Sequence, residues 1–434
     1  MTICVYLRTF MRSPTSMQNN RIQPFSHNTI SFGVVVKPNG LVFYLFLFIL
    51  SVLVPHKVSG QHIHLPILKL PNNLYFEANR LFNYNIYEGS RWGSGLLYTY
   101  DFANRHHTQI GIDGHLSYGV VDHRYKYGGC IYLKNNDKRR TSLSIKYEND
   151  IEQIASHNLN SYNIVNIEQN SHYLSSRYNA IQRIGIQLSL NPSPQHQLSW
   201  GYAYSHESPL FNTSGPLYPT SNTPPTYLAK HSEWSIHYRY SNRLQLRLVL
   251  GNLPYHDNFL YIRFIGQYER KWKFENNDMV HFFAQGGVAM GDVPISRLFD
   301  LSGTFGSHFY FTNTFLTVRP NSLIADVYTI SGIRYTCGRS MYDIGMSKPQ
   351  AFCQLNCMWG SIGDNHAAVV SENLHAPSYG IIEPAIGLHG IICFSSINIG
   401  AALAYKFDIE QLVHNISVPA AERFALMVSA TVTP

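Results

Sequence analysis

The 434-residue chain is poor in charge, with only 14 % Asp, Glu, Lys and Arg. A soluble surface is ordinarily roughly 25–35 % charged, so an exterior fully exposed to water is not expected. Cysteine is scarce too. Cys4 lies in the leader, and Cys130, Cys337, Cys353, Cys357 and Cys393 remain. An odd number cannot all pair within the chain, so no disulfide framework is implied. Cys353 and Cys357 lie on one face of a strand about 13 Å apart, which fits neither a CxxC redox site nor a zinc knuckle. No G-x-x-x-x-G-K-[ST], H-E-x-x-H or G-x-S-x-G pattern occurs, which leaves the commonest nucleotide, zinc-protease and esterase chemistries without a carrier.

Long apolar runs are missing except for one, Leu41 to Val54. It falls short of the about 20 residues a spanning helix needs. An acid-free region with five cations (Arg8, Arg12, Arg21, Lys37, Lys57) surrounds it, and the small residues Val58-Ser59-Gly60 follow it. That is the pattern of a secretory signal peptide, residues 1–60, with an extended n-region, cut near Gly60–Gln61. A start at Met17 and a single signal-anchor helix are the alternatives. Without residues 1–60 the net charge falls from +7 to +2, and no basic run suggests nucleic acid.

What the chain has in plenty is aromatics, 14 % with 30 tyrosines, arranged with a period of two. Ile184, Ile186, Leu188 and Leu190 alternate with Gly185, Gln187 and Ser189. After a link from Asn191 to His196 that contains two prolines, Leu198, Trp200, Tyr202 and Tyr204 alternate with Ser199, Gly201, Ala203 and Ser205. Alternation puts successive side chains on opposite faces of a strand. The same pattern recurs from Gly89 to the end: Trp92–Phe102, Ile110–Val120, Tyr125–Leu133, Leu143–Tyr147, Trp234–Tyr240, Leu244–Leu250, Leu260–Tyr268, Val280–Met290, Tyr310–Val318, Ala325–Thr336, Ala351–Gly360, Ile381–Phe394, Ile397–Asp408 and Phe424–Val432. Polar stretches without periodicity interrupt it at 149–178, 206–227, 292–307 and 361–379.

Two architectures present such strands. A soluble sandwich hides the apolar face in its core and covers the outside with Lys and Glu. A membrane barrel turns the apolar face to lipid, keeps small polar residues within, and must close because unpaired edge groups in lipid cost several kcal/mol each. Here the second face is mostly Gly, Ser, Ala, Asn and Gln, so the expectation is all-β: a closed antiparallel transmembrane β-barrel of about 14–16 strands with short periplasmic turns and long extracellular loops. Residues 88–434 form the barrel and 61–87 a periplasmic lead-in. The compartment is the outer membrane of a Gram-negative cell.

Asn85-Ile86-Tyr87-Glu88-Gly89-Ser90-Arg91-Trp92-Gly93 resembles the barrel entry of an uncharacterised outer-membrane family. Its longer members carry an N-terminal carboxypeptidase-like regulatory domain and are grouped with TonB-dependent-receptor-like proteins. Gly119–Tyr132 with Lys126-Tyr127-Gly128-Gly129, Tyr147–Ile154 with Asp150 and Gln153, Gly286–Phe299 with Gly291-Asp292-Val293-Pro294, and Gly380–Phe407 resemble it further. The likeness covers roughly 85–408 and implies an outer-membrane barrel of unknown activity. The chain departs from it in lacking the regulatory domain and in ending Val432-Thr433-Pro434 rather than in an aromatic residue.

No enzymatic activity, metal or cofactor is expected. His106-His107 reads as polar loop, since no carboxylate or thiolate stands at ligand spacing. Barrel enzymes use a Ser and a His on the lipid-facing rim, and His115 with Ser117 and His237 with Ser241 are the candidate pairs, against a plain hydrogen-bonding role. The candidate lumen-facing polar residues are Glu233, His237, Arg239, Arg263, Glu269 and Lys271, which would line a polar interior or form structural ion pairs. Expected partners are outer-membrane lipid, the barrel-assembly machinery and a periplasmic partner bound through 61–87. Two roles stay open: a transport, export or assembly barrel, favoured by an open lumen with charged walls, and a structural or adhesive protein acting through its surface loops, favoured by a plugged interior. Either requires detergent. Full-length protein that stays monomeric and soluble without detergent would contradict both.

Overall fold

A computed structural model describes residues 67–432 except 71–72, 78–80, 86, 103–107, 136–139, 154, 156–177, 211–229, 242, 253–259, 302, 304–314, 320–321, 344–346, 365–373, 395–396 and 415–422. The signal peptide and the His106-His107 pair fall outside the described residues, as does most of the two polar stretches at 149–178 and 206–227.

The architecture is all-β and dominated by one large antiparallel sheet. In chain order the strands are β1 (Ile67–Lys69), β2 (Leu74–Glu77), β3 (Phe82–Asn85), β4 (Gly89–Asp101), β5 (Thr108–Gly119), β6 (Tyr125–Asn135), β7 (Thr141–Gln153), β8 (Tyr178–Ser193), β9 (His196–Leu210), β10 (Lys230–Tyr240), β11 (Leu244–Asn252), β12 (Leu260–Lys273) and β13 (Met279–Gly291). They continue with β14 (Phe299–Asp300), β15 (Ile324–Ala325), β16 (Val327–Thr336), β17 (Gln350–Ser361), β18 (Ile381–Phe394), β19 (Ile397–Tyr405), β20 (Phe407–Asp408) and β21 (Phe424–Val432). From β4 to β13 each strand pairs with the next, β13 pairs with β16, and the ladder runs on through β17, β18 and β19 to β21. Three strands fall inside the stretch expected as a lead-in: β2 and β3 pair with β4, and β1 pairs with β2. The pairings among the described residues leave β1–β3 and β21 as the two edges of the sheet.

Antiparallel pairing sends successive connections to alternate ends. One end carries 102–107, 136–140, 194–195, 241–243, 274–278, 337–349 and 395–396; the other carries 120–124, 154–177, 211–229, 253–259, 292–326, 362–380 and 406–423. These are a short-turn end and a long-loop end. The hairpin of β8 and β9 is tighter than its two prolines suggest. Its ladder continues past Leu190↔Leu198 to Ser193↔His196 after a register shift. Pro192 falls within that shift, where a missing N–H costs the ladder least.

The two faces differ as the alternation predicts. Trp92, Leu96, Tyr98 and Tyr100 of β4 are exposed while Thr99 is buried; on β12, Leu260, Ile262 and Phe264 are exposed while Tyr261, Arg263 and Ile265 are buried. Trp234 is 63 % exposed and its neighbour Glu233 2 %. The apolar face therefore has no second layer over it, and the buried face is the polar one. This excludes the sandwich, whose apolar faces cover one another.

Burial on the polar face comes from the chain itself. At Gly291, where φ is +85°, a conformation glycine reaches without steric cost, the backbone leaves β13 and turns onto that face. Leu298, Phe299 and Leu301 are wholly buried there, as are Ile324 and Ala325 to within 1 %. Each large apolar side chain removed from water in this way stabilises by roughly 1.5–3 kcal/mol. They join Ile265, Phe283, Ile330 and Met358 of the sheet in one cluster. β14 and β15 pair with each other, and Gly303 bridges Phe315. The stretch Tyr310–Val318, expected as a spanning strand, is not one in its described part, 315–318. Phe315 bridges Gly303, and 316–318 form a bend buried within this segment. A period of two records one apolar side, and here that side meets the inserted segment instead of the outer surface.

At the short-turn end Asp278 ties two turns together. Its carboxylate accepts from Gly338 N at 2.7 Å, from the Tyr335 hydroxyl at 2.6 Å and from Asn276 Nδ2 at 2.5 Å. Those donors, the Tyr335 hydroxyl first, hold its pKa below the usual carboxylate value. A depressed folded-state pKa gives stability that is present above the unfolded value of about 3.9 and is lost as pH falls through the folded one. Asp278→Asn is therefore expected to lower the unfolding temperature at pH 7, and its difference from wild type to shrink as pH falls through the depressed folded-state pKa. A pH-independent difference in melting curves would refute the assignment.

Candidate functional site

The densest polar constellation sits where the inserted segment meets the long-loop half of the sheet. Ile295–Arg297 form a single 3-10 turn whose side chains are all buried. Arg297 Nη1 donates to Glu152 Oε2 of β7 at 3.1 Å, and Nη2 to Glu207 Oε1 of β9. Nη2 also lies 3.1 Å from His231 Nε2 of β10. Arg297 Nε is 3.0 Å from Glu233 Oε1 of β10, an ionic contact and not a well-directed hydrogen bond. The Tyr261 hydroxyl of β12 donates to the same Glu233 oxygen at 2.7 Å. Arg183 of β8 supplies the second cation, donating to Glu152 at 2.6 Å, to Glu148 at 3.2 Å and to the Ser205 hydroxyl at 3.1 Å. Asn179 Nδ2 donates to the other oxygen of Glu207 at 3.1 Å.

This geometry fixes the curvature of the sheet. Strands lie about 4.8 Å apart, so β7 and β10 are roughly 14 Å apart across the intervening β8 and β9. One guanidinium can reach carboxylates on β7, β9 and β10 together only if these strands curl around it. The polar face is concave, and the inserted segment occupies the concavity. Backbone bonds add to the hold: Ala155 N donates to Ser296 O at 2.9 Å and Asp300 N to Ala155 O at 2.7 Å.

A second anchor lies on β18. Glu383, with no exposed surface, accepts from Leu316 N at 3.0 Å, from Thr317 N at 2.7 Å, from the Thr317 hydroxyl at 2.6 Å and from Asn356 Nδ2 at 3.1 Å. Leu316 packs on the small side chains Ala385, Ala402, Ala404 and Ala425. Between the anchors, Arg263 stacks 5.1 Å from the Phe299 ring centroid, and Phe299 lies 4.7 Å from Tyr328. Gly287 makes the room: a Cβ there would come 3.0 Å from Phe299 and closer still to Tyr328.

The six residues singled out in the sequence all lie on β10 or β12 at positions opposite the exposed apolar side chains, but they do not form one site. Glu233 joins the Arg297 cluster and Arg263 stacks under Phe299. Glu269 accepts from or faces His281 Nε2 at 2.9 Å and pairs with Lys271 at 3.3 Å near the short-turn end. His237 and Arg239 sit between these groups. Arg297, Glu152, Glu207, His231 and Glu383 were missed. The one available signal was a lone arginine in the apolar run Ile295-Ser296-Arg297-Leu298-Phe299, inside a stretch that resembles the outer-membrane family. The Ser–His pairs are not on the outward rim: Ser117 is buried on the polar face and its hydroxyl donates to Lys126 O at 3.5 Å, while Ser241 belongs to the turn after β10. Cys130, Cys337, Cys353 and Cys357 are free thiols. Among the described residues no group of three or more His, Cys, Asp or Glu side chains is placed to hold a metal ion.

No protein-family model matches the chain, and no curated protein matches it. Solved structures resemble it in outline. BamA from Haemophilus ducreyi lacking POTRA domains 1–3 aligns with TM-score 0.46 and 11 % identity over 89 % of this chain and 78 % of that one. CdiB from Acinetobacter baumannii aligns with TM-score 0.38 and 10 % identity over 79 % of this chain, which spans 57 % of that one. Wzi from Escherichia coli, an outer membrane protein and carbohydrate-binding β-barrel, gives TM-score 0.29 and 10 % identity over 73 % of this chain and 74 % of that one.

Removing one partner from a buried ionic cluster leaves the others uncompensated and costs about 3–5 kcal/mol. Arg297→Ala is expected to destabilise the detergent-folded protein by that order, and Arg297→Lys by less, since it keeps charge without the fork. Equilibrium unfolding in urea measures it. A loss under about 1 kcal/mol, the range of surface pairs, would show the cluster to be peripheral.

Proposed function

We propose that the chain is an outer-membrane β-barrel, closed in the membrane, that serves transport, export or assembly, with its passage shut at the long-loop end by its own residues 292–326. The observation that carries this reading is the Arg297 cluster. It ties a separable chain segment into a concave, charged interior through ion pairs on β7, β9 and β10. The outward face supports the compartment. Trp, Tyr, Leu and Ile side chains stand exposed along strand after strand, as lipid contact requires, and every long strand finds antiparallel partners, as a backbone in hydrocarbon must. On this reading outer-membrane lipid is the surrounding solvent, Glu233, His237, Arg239, Arg263, Glu269 and Lys271 face the lumen, the short-turn end is periplasmic, and no reaction is assigned to the chain.

A barrel used only as a scaffold could fill its interior with side chains of the wall. The inserted segment contributes no strand to the large sheet, so the sheet's pairing does not depend on it, although polar anchors and apolar contacts to Ile265, Phe283, Ile330 and Met358 both hold it. The structural or adhesive reading draws on a different feature. At the long-loop end a recess of about 550 Å³ opens between the β17–β18 and β19–β21 connections, lined by His375, Ser378, Asp408 and Glu410 among others.

Planar-bilayer recording separates the two. The wild-type chain is expected to insert and pass little steady current, and a variant with residues 298–322 replaced by a short Gly-Ser linker to show stepwise ohmic conductance. A variant that inserts yet stays silent would favour the scaffold. Steady wild-type conductance would refute the shut interior.

A further inference from the structure

The outward face of the ladder carries almost no charge. By register, the outward positions of β4–β13, β16–β19 and β21 hold two Asp, Glu, Lys or Arg side chains among the described residues. One is Lys230, the first residue of β10, at the long-loop end. The other is Arg270, inside β12. It follows Leu260, Ile262, Phe264, Gly266 and Tyr268 on the outward side and precedes Trp272, while Glu269 and Lys271 lie on the polar side. The register of β12 with β13 runs unbroken from Tyr261↔Gly291 to Lys273↔Met279, so no bulge turns Arg270 inward. Its side chain is exposed and stands opposite Phe282 of β13.

Two features set its depth. β11 begins where Leu244 pairs with Tyr268, and Glu269 N donates to Arg243 O of the preceding turn at 2.7 Å. β12 runs on with β13 through Glu269–Lys273, about 16 Å of strand, so Arg270 stands past the short-turn end of its neighbour. Aromatic rings bracket its row as well. Tyr240 and Tyr268 lie in register on the membrane side, and Trp272 and Tyr335 on the turn side. Tyr and Trp gather at the level of lipid headgroups. A cation facing lipid is costly at mid-bilayer and nearly without cost at the interface. The Arg270 Cζ lies 5.0 Å from the Trp272 ring centroid. Stacking fixes the side chain through the face of the guanidinium and uses none of its N–H donors, which phosphate oxygens accept in pairs. The one carboxylate of β12, Glu269, is on the other face and engaged by His281 and Lys271. Arg243 adds a second exposed cation at this edge.

We propose that Arg270, braced on Trp272, binds the phosphate of an anionic phospholipid in the leaflet at the short-turn end. The guanidinium fork matches the phosphate, and the flanking rings of Tyr268, Phe282 and Trp272 lie against the upper acyl chains. This goes beyond the proposed function. It rests on the part of that reading in which the chain spans a membrane, and not on the passage being shut.

The test uses the full-length chain reconstituted into phosphatidylcholine vesicles. A minor, equal share of lipid carries brominated acyl chains, on phosphatidylglycerol in one preparation and on phosphatidylcholine in the other. Bromine quenches nearby tryptophan fluorescence. The wild-type chain is expected to show excess quenching by the phosphatidylglycerol, corresponding to about fivefold local enrichment, the order that one interfacial cation confers. Arg270→Gln is expected to lose that excess by removing the charge, and Trp272→Phe by removing the reporter. Arg339→Gln, a charge lost from the exposed 337–349 turn, is expected to keep it. Equal quenching of the wild type by the two lipids overturns the site, as does an excess that survives Arg270→Gln or Trp272→Phe. Equal loss in Arg339→Gln also overturns it, since the attraction would then belong to the whole rim. Insertion is measured on the same preparations. A chain that inserts without lipid preference refutes the site alone; one that fails to insert refutes the barrel and the site with it.

Discussion

One constraint organises the molecule: its greasy strand face has nothing of its own to lie against. Every long strand turns that face outward, so the backbone must be satisfied by neighbouring strands and the buried volume must be filled from the polar side. The wall presents mostly Ser, Gln, Glu and Arg there, with a few apolar side chains such as Ile265, Phe283, Ile330 and Met358, so it offers little apolar packing of its own. Residues 292–326 resolve the conflict. They bring an apolar core of their own, Leu298, Phe299, Leu301, Phe315 and Ile324, and meet the wall through groups that answer its charges.

The two anchors use opposite chemistry for the same end. At β7–β10 the wall supplies carboxylates and the segment supplies one guanidinium, whose planar fork serves several acceptors at once. At β18 the wall supplies the carboxylate of Glu383 and the segment supplies backbone N–H groups of Leu316 and Thr317. Those amides lie in a bend with no strand partner, and a buried amide without an acceptor is costly. The segment is thus held from both sides of the concavity by contacts that combine satisfaction of buried donors with charge pairing. The alanines of β18, β19 and β21 complete the fit by leaving depth for Leu316.

Much of this was legible in the chain. The period of two located the long strands, often to within a few residues, as at Ile381–Phe394. Its failures have physical causes. β1, β2 and β3 are edge strands of three or four residues, too brief to show a period. Tyr310–Val318 alternates but packs inside, because periodicity reports a side and not its surroundings. Arg297 escaped notice because its partners Glu152, Glu207 and Glu233 are 145, 90 and 64 positions away in the chain.

The amino-acid order alone determined that this is a chain of two-faced strands with scarce charge and an apolar side in need of cover, since alternation is a local property of an extended backbone. It could not determine what would stand within. That depended on curvature, on which strands the ladder brings to one guanidinium, and on a loop leaving β13 at Gly291 toward the polar side. Such outcomes arise from contacts between residues far apart in sequence, and only the folded molecule brings them together.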